Sequence, residues 1–329
     1  MNRAFLQRIF KIKNIQEFTE SAFDIFKYQA ANNIVYSDYL TALEINASFV
    51  KSLEEIPFLP VSFFKNHKIL TGVDKTETVF ESSGTTGTNT SRHYISDLSI
   101  YEKSFIEGFR YFYGDPSGYL ITALLPSYSE RENSSLIYMM NSLIKKSKYS
   151  ESGFYNNDPQ KLIKILKKAK ENGIKGILLG VSFALLDLAE KYSPDLSGII
   201  VIETGGMKGR MKEITRQELH AVLRAGFNVE IIHSEYGMTE LLSQAWSKGN
   251  GLFYCSPWMK VFIRDPQDPL SLFNKPGRTG GINIIDLANV NSCSFLSVND
   301  LGKLHEDGSF EVLGRFDSSD IRGCNLLVE

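Results

Sequence analysis

The chain has 329 residues, 43% of them hydrophobic and 22% charged, with 36 Lys and Arg against 38 Asp and Glu for a formal charge of −2. A chain of that size and composition buries a large core as one big domain or two, and its charge balance offers no broad basic surface for nucleic acid. Its three cysteines, Cys255, Cys293 and Cys324, form no CxxC pair, which speaks against a disulfide framework or a zinc site and suits a reducing, cytoplasmic setting.

In chain order, residues 1–55 place apolar groups at helical spacing (Phe18, Phe23, Ile25, Phe26, then Tyr39, Leu40, Leu43), and several helices are expected there. The sequence IPFLP at 56–60 breaks that pattern, since each proline pushes its predecessor toward extended geometry, and an irregular segment is expected to follow. A strand at 78–80 leads into the hydroxyl- and glycine-rich run ESSGTTGTNTSR at 81–92. Beyond it, a helix at 98–113 precedes short apolar runs at 118–125, 176–179, 198–203 and 228–233, with helices at 159–172 and 211–225 between them. Short apolar strands alternating with helices predict an α/β fold with a largely parallel sheet. From residue 251 turn signals separate short strands, so the expected division is an α/β part at 1–250 and a β-rich subdomain at 251–329. No uncharged apolar stretch reaches the about 18 residues of a membrane span, and no transmembrane segment is expected.

Four segments carry chemistry-bearing residues. Ser82, Ser83, Gly84, Thr85, Thr86, Gly87 and Thr88 combine hydroxyl donors with a backbone that can turn its N–H groups inward around a polyphosphate, although such a cluster taken alone also reads as a surface turn. It lacks the lysine and spacing of the Walker P-loop. Gly205, Gly206 and Met207, followed by Lys208, end an apolar strand and let a flat ligand approach the backbone, or form a tight turn. In HSEYGMTE at 233–240, Tyr236 beside Gly237 offers a stacking face, Met238 and Thr239 follow, and Glu240 is a hard carboxylate suited to Mg²⁺. His233 reads as a structural histidine. Asp300 in NDLG and Arg315 in LGRFD suit sugar or phosphate, and equally suit hairpin turns.

Together and in this order, SSGTTGTNTS, YGMTE, NDLG and GR resemble the adenylate-forming superfamily of acyl-CoA synthetases and adenylation domains. The resemblance implies the large N-terminal domain of that fold, layered α/β with mostly parallel sheets plus the β-rich subdomain, with ATP and Mg²⁺ as cofactors. It implies that residues 82–88 hold the ATP phosphates, Gly205, Gly206 and Tyr236 flank adenine, Thr239 contacts the α-phosphate, Glu240 binds Mg²⁺, and Asp300 and Arg315 grip the ribose. Four further stretches, IPFLPVSFFKNHK, ETGGMKGR, SEYGMTELLSQ and GRFDSSDIRGC, resemble the LuxE-type acyl-protein synthetases. That group implies activation of a carboxylic acid, most naturally a fatty acid, and transfer of the acyl group to Cys324, with an acyl-CoA reductase-like protein as partner. Two other readings stand beside it: an AMP-forming acyl-CoA or carrier-protein ligase in which Cys324 is incidental, and a catalytically degenerate nucleotide-binding scaffold.

The sequence departs from the superfamily in two ways. The small domain that usually follows the GR motif and supplies the adenylation lysine is expected to be absent, with Lys208 as its electrostatic substitute. The aromatic acyl-pocket motif is not recognisable in the Ser-rich stretch at 126–129.

Overall fold

A computed structural model describes residues 3–72, 75–82, 90–126, 133–205, 214–273 and 275–316. Helices α1 (Arg3–Ile9), α2 (Ile15–Asn32) and α3 (Ile34–Ala42) open the chain as expected. Asn14 and Asn33 start the latter two by accepting from the backbone N–H groups of Glu17 and Tyr36, amides that have no partner within the helix. Where an irregular segment is expected, the proline-extended chain forms β1 (Leu59–Pro60), which runs parallel to a strand close to the other end of the chain, and then α4 (Phe63–Asn66). Next, β2 (Thr78–Glu81) and β3 (Arg92–Ile95) pair as an antiparallel hairpin, so the glycine-rich run connects two hydrogen-bonded strands.

The alternating part follows as α5 (Leu98–Tyr113), β4 (Leu120–Leu124), α6 (Ser135–Lys146), β5 (Gly153–Phe154), α7 (Pro159–Glu171), β6 (Gly176–Val181), α8 (Ser182–Tyr192), β7 (Ile199–Thr204), α9 (Arg216–Phe227) and β8 (His233–Tyr236). Beyond it come β9 (Ala245–Ser247), β10 (Tyr254–Cys255), β11 (Met259–Arg264), β12 (Thr279–Asp286), β13 (Phe295–Leu304) and β14 (Phe310–Arg315). Among the described residues, seven strands form one sheet in the order β10-β9-β8-β7-β6-β4-β5. Its β5, β4, β6, β7 and β8 are mutually parallel, while β9 and β10 are antiparallel.

Strand periodicity explains why the central strands are apolar throughout. Ile121, Ala123, Ile177, Leu179 and Ile202 pack into one core with α5 and α6, whereas Leu120, Leu124, Leu178, Ile199 and Val201 pack into a second with α7, α8 and α9. Successive side chains point to opposite faces, and both faces are covered. One expected strand is displaced. The run at 228–233 becomes strand only from His233, because Asn228 takes the left-handed conformation (φ 54°) that caps α9 and the chain needs 229–232 to return to the sheet.

A second sheet, ordered β1-β13-β12-β11 with β14 on β13, packs into the same core as α5 and α6. Two buried polar side chains lock it to the rest. Gln29 of α2 donates to the carbonyls of Asn289 and Val290 (both 3.0 Å) and accepts from Ser294 N–H (2.9 Å). Asp286, with 0% exposure, accepts from Leu242 N–H (2.8 Å), Ser243 N–H (3.0 Å), Ser243 hydroxyl (2.5 Å) and Ala288 N–H (3.1 Å). Replacing it leaves those buried donors unpaired. Asp286→Ala is therefore expected to lower stability by about 3 kcal/mol, seen as a reduced urea midpoint with an unchanged slope. An unchanged midpoint would show that water replaces the carboxylate freely.

Candidate active site

The C-terminal ends of β7 and β8 lie side by side in the sheet, the place where open parallel sheets bind ligands. At the first, Gly205 turns the chain out with φ +70°, and its carbonyl accepts from the Ser182 hydroxyl (2.6 Å). At the second, Gly237 follows Tyr236, and a Cβ there would come within 2.4 Å of Glu235 Oε1, so the position admits only glycine while Glu235 keeps its place. Of the other expected site residues, Ser83, Gly84, Thr85, Thr86, Gly87, Thr88, Gly206, Met207, Lys208 and Cys324 lie outside the described residues. Ser82 is described and closes the neck of the hairpin. Its N–H donates to Ser91 carbonyl (3.0 Å), and its Oγ accepts from Ser91 N–H (3.0 Å).

Tyr236, Asp300 and Arg315 meet although 64 and 15 residues separate neighbouring members of the set. The antiparallel register of β13 and β14 puts Asp300 opposite Arg315. Tyr236 hydroxyl donates to Asp300 Oδ2 (2.8 Å), and Arg315 Nε donates to Asp300 Oδ1 (3.3 Å). The tyrosine ring is 8% exposed and packs edge-on against Phe253 and Phe310, with centroids at 5.9 and 5.7 Å. Burial and then the Asp300 charge push its hydroxyl well above the usual range, so it stays a hydrogen-bond donor. The Arg315 side chain is 82% exposed, leaving most of its guanidinium open to a further anion or hydroxyl.

Thr239 and Glu240 sit between this set and the hairpin neck. Glu240 is buried; desolvation raises its carboxyl, the Ser91 hydroxyl opposes that shift, and Arg315 and Asp300 act on it with opposite signs. Among the described residues no group of three His, Cys, Asp or Glu gathers as a metal cage. A buried carboxylate held by a hydroxyl instead suits an ion such as Mg²⁺, which takes one or two carboxylates and completes its shell with phosphates and water. Met238 carbonyl accepts from Leu241 N–H (3.1 Å), closing the turn that carries both residues.

Two more carboxyls lie beneath the strand ends. Glu203 is buried, but His220 and then Arg216 outweigh the desolvation and hold it below the usual value. Arg216 Nε reaches Glu203 Oε1 at 3.1 Å, and its Nη1 donates to Val312 carbonyl of β14 at 3.0 Å, tying the Gly205 turn to the strand that carries Arg315. Among the described residues Glu235 has the Thr204 hydroxyl (2.5 Å) as its one hydrogen-bond donor, and burial, with the Glu203 charge adding, pushes it up to about 7. His233 hydrogen-bonds the Tyr113 hydroxyl (3.2 Å) and is pushed down to about 4 by burial and the Lys248 charge, in keeping with a structural role.

The hairpin and the two sheets have the fold of the adenylate-forming enzymes. The described residues match the large N-terminal domain of that fold. The chain is similar to the luciferase-like enzyme of the nonluminescent mealworm Zophobas morio, with 18% identity and a TM-score of 0.51 over 86% of this chain and 69% of that one. It is also similar to a long-chain-fatty-acid-CoA ligase from Archaeoglobus fulgidus, with 14% identity and a TM-score of 0.51 over 73% of this chain. The chain spans 51% of that ligase's length. No protein-family model and no curated relative matches the sequence.

Sequence reasoning missed Ser91, His93, Glu203, Glu235 and Asn289 as members of this region. Only Glu203 had a local signal, a carboxylate in an otherwise apolar strand end. Glu235 titrates at a measurable cost. With about 7 folded against 4.5 for the free side chain, the folded protein holds the proton more tightly, so stability present below pH 4.5 is lost as pH rises to 7. The difference in unfolding free energy between wild type and Glu235→Gln is expected to move by about 3 kcal/mol in favour of the variant between pH 4 and 8. A difference that stays flat with pH would mean that Glu235 ionises normally.

Proposed function

We propose that the protein joins a carboxylic acid to AMP and passes the acyl group to Cys324, with a fatty acid as the substrate class. The observation that carries this reading is the convergence on Glu240: Ser91 at the neck of the hydroxyl-rich run and the Asp300–Arg315 pair all act on its carboxyl. Phosphate donors, a hard carboxylate and a ribose-type carboxylate–guanidinium pair are the groups a bound nucleotide needs. Residues 82–88 take the phosphates, Gly205 to Met207 and Tyr236 flank the base, Asp300 and Arg315 hold the sugar, and Thr239 lies at the α-phosphate.

In the first step a carboxylate oxygen attacks the α-phosphorus of ATP. The bond from that phosphorus to the oxygen bridging to the β-phosphate breaks, and pyrophosphate leaves with the electron pair. Mg²⁺ held by Glu240 would neutralise phosphate charge when bound, and Lys208 adds a second positive charge. In the second step the Cys324 thiolate attacks the acyl carbon and AMP departs. Cys255 and Cys293 are poor candidates for that nucleophile, because burial pushes both thiols up to about 12 and the thiolate is the reactive form. Arg322 beside Cys324 favours its thiolate. The α/β part at 1–250 supplies the phosphate and base contacts, and 251–329 supplies the ribose pair and the cysteine. An acyl-CoA reductase-like protein is the partner this chemistry fits, since a thioester on a protein is a substrate for reduction.

The test is ATP–pyrophosphate exchange across saturated fatty acids of increasing length, with wild type and Cys324→Ser compared. Acid-dependent exchange by both, with labelled acyl retained by wild type alone, is the expected result. Release of AMP that needs coenzyme A and survives Cys324→Ser would replace the reading by a coenzyme A ligase, and acyl retained by Cys324→Ser would remove Cys324 as the acceptor. Binding of ATP with no exchange would leave a nucleotide-binding scaffold. Within the same assay Asp300→Asn is expected to weaken nucleotide binding about tenfold, the size of one lost charge-assisted hydrogen bond, measured as AMP affinity by calorimetry.

A further inference from the structure

His93 and Asn289 are both fully buried, with 0% exposure, and 196 positions of sequence separate them, yet they grip adjacent peptide groups. His93 Nδ1 lies 2.8 Å from Thr239 carbonyl oxygen. A carbonyl only accepts, so the ring hydrogen is on Nδ1. Asn289 Nδ2 donates to the next carbonyl, that of Glu240, at 2.7 Å. The two donors come from different supports. His93 is on β3, on the arm of the hairpin that leaves the hydroxyl-rich run, and its ring stands edge-on to Phe64 at 5.3 Å. Asn289 ends the short turn after β12, held from behind by Gln29 through its own carbonyl.

Burial alone does not explain the pair. His93 Nε2 and Asn289 Oδ1 are both buried with no partner at full hydrogen-bonding geometry among the described residues, and the interaction between the two side chains only partly offsets the burial of the ring, so the pair costs stability that an apolar pair of the same shape would not incur. What the pair gains in return is the placement of two carbonyls, and through them the side chains of Thr239 and Glu240.

We propose that His93 and Asn289 are positioning residues for nucleotide binding and adenylation: they aim the Thr239 hydroxyl and the Glu240 carboxylate at the phosphate by fixing the backbone that carries them. This rests on the adenylation reading above. Neither side chain touches the nucleotide. The hairpin arm and the 236–240 segment are therefore tied together, so Ser91 and Glu240 keep a fixed relation.

The decisive comparison is His93→Asn against His93→Gln. The asparagine amide nitrogen falls close to the position of Nδ1 and keeps the bond to Thr239, whereas the glutamine amide falls near Nε2 and loses it, while filling the ring's volume better. The expected result is that His93→Asn stays within about threefold of wild type in AMP affinity and exchange rate. His93→Gln is expected to lose about tenfold in AMP affinity and about 10- to 100-fold in exchange kcat, with KM for the acid within about twofold. A packing role predicts the reverse order, and glutamine equal to or better than asparagine overturns the proposal. If either variant melts too early to assay, Asn289→Asp decides, because it keeps the shape and replaces the donor to Glu240 carbonyl by an acceptor; unchanged AMP affinity there also overturns it. Wild type that binds AMP without exchanging pyrophosphate sinks the adenylation reading alone, and the order of AMP affinities still tests the clamp. Wild type that binds no nucleotide overturns both.

Discussion

The backbone from Tyr236 to Ser243 leaves the parallel sheet, is exposed at Gly237 and is buried again from Glu240, and each of its buried peptide groups needs a partner that the sheet no longer supplies. Partners come from three distant places: His93 on the hairpin for Thr239 carbonyl, Asn289 for Glu240 carbonyl, and Asp286 for the Leu242 and Ser243 N–H groups. Much of the architecture serves that requirement. The second sheet presents Asp286 and Asn289 at the end of β12, and the N-terminal helices brace the turn through Gln29. An irregular segment buried on such terms is rigid in the way a ligand-binding segment has to be.

Around it the protein holds several buried carboxyl groups, each balanced by a different means. Glu203 has a cation, Arg216, and a histidine. Asp286 has four donated hydrogen bonds, against which burial still pushes it up to about 6. Asp300 has one phenol and one guanidinium. Glu235 has one hydroxyl and takes a proton near neutrality. Glu240 has the Ser91 hydroxyl and, through space, the Arg315 charge, against which burial still raises its carboxyl.

The parallel part was legible because strands buried on both faces are apolar throughout and the helices between them keep a 3.6-residue period. The runs at 118–125, 176–179 and 198–203 each became a strand for that reason. The hairpin role of β2 and β3 was not legible, since a strand leading into a glycine-rich turn looks the same whether it belongs to a hairpin or to a large sheet. Nor was the parallel pairing of Leu59 and Pro60 with Leu296 and Ser297, which joins segments separated by most of the chain. At the site, Tyr236, Asp300 and Arg315 stood out by their motifs, and the structure brings them into direct hydrogen bonding. His93 and Asn289 gave no signal, because one histidine on a short strand and one asparagine in a turn are each ordinary until their partners are known.

The sequence by itself determined the α/β class, the order of the chemistry-bearing segments and the residue types in each, since periodicity and local turn chemistry act over a few residues and leave their mark there. Only the tertiary structure decided which of those residues meet. It set Asp300 between Tyr236 and Arg315, placed Glu240 against the neck of the hairpin, and made Glu235 a near-neutral acid while Glu203 stays ionised. Those outcomes depend on desolvation and on partners tens to hundreds of residues away, and both come into being only when the chain has packed.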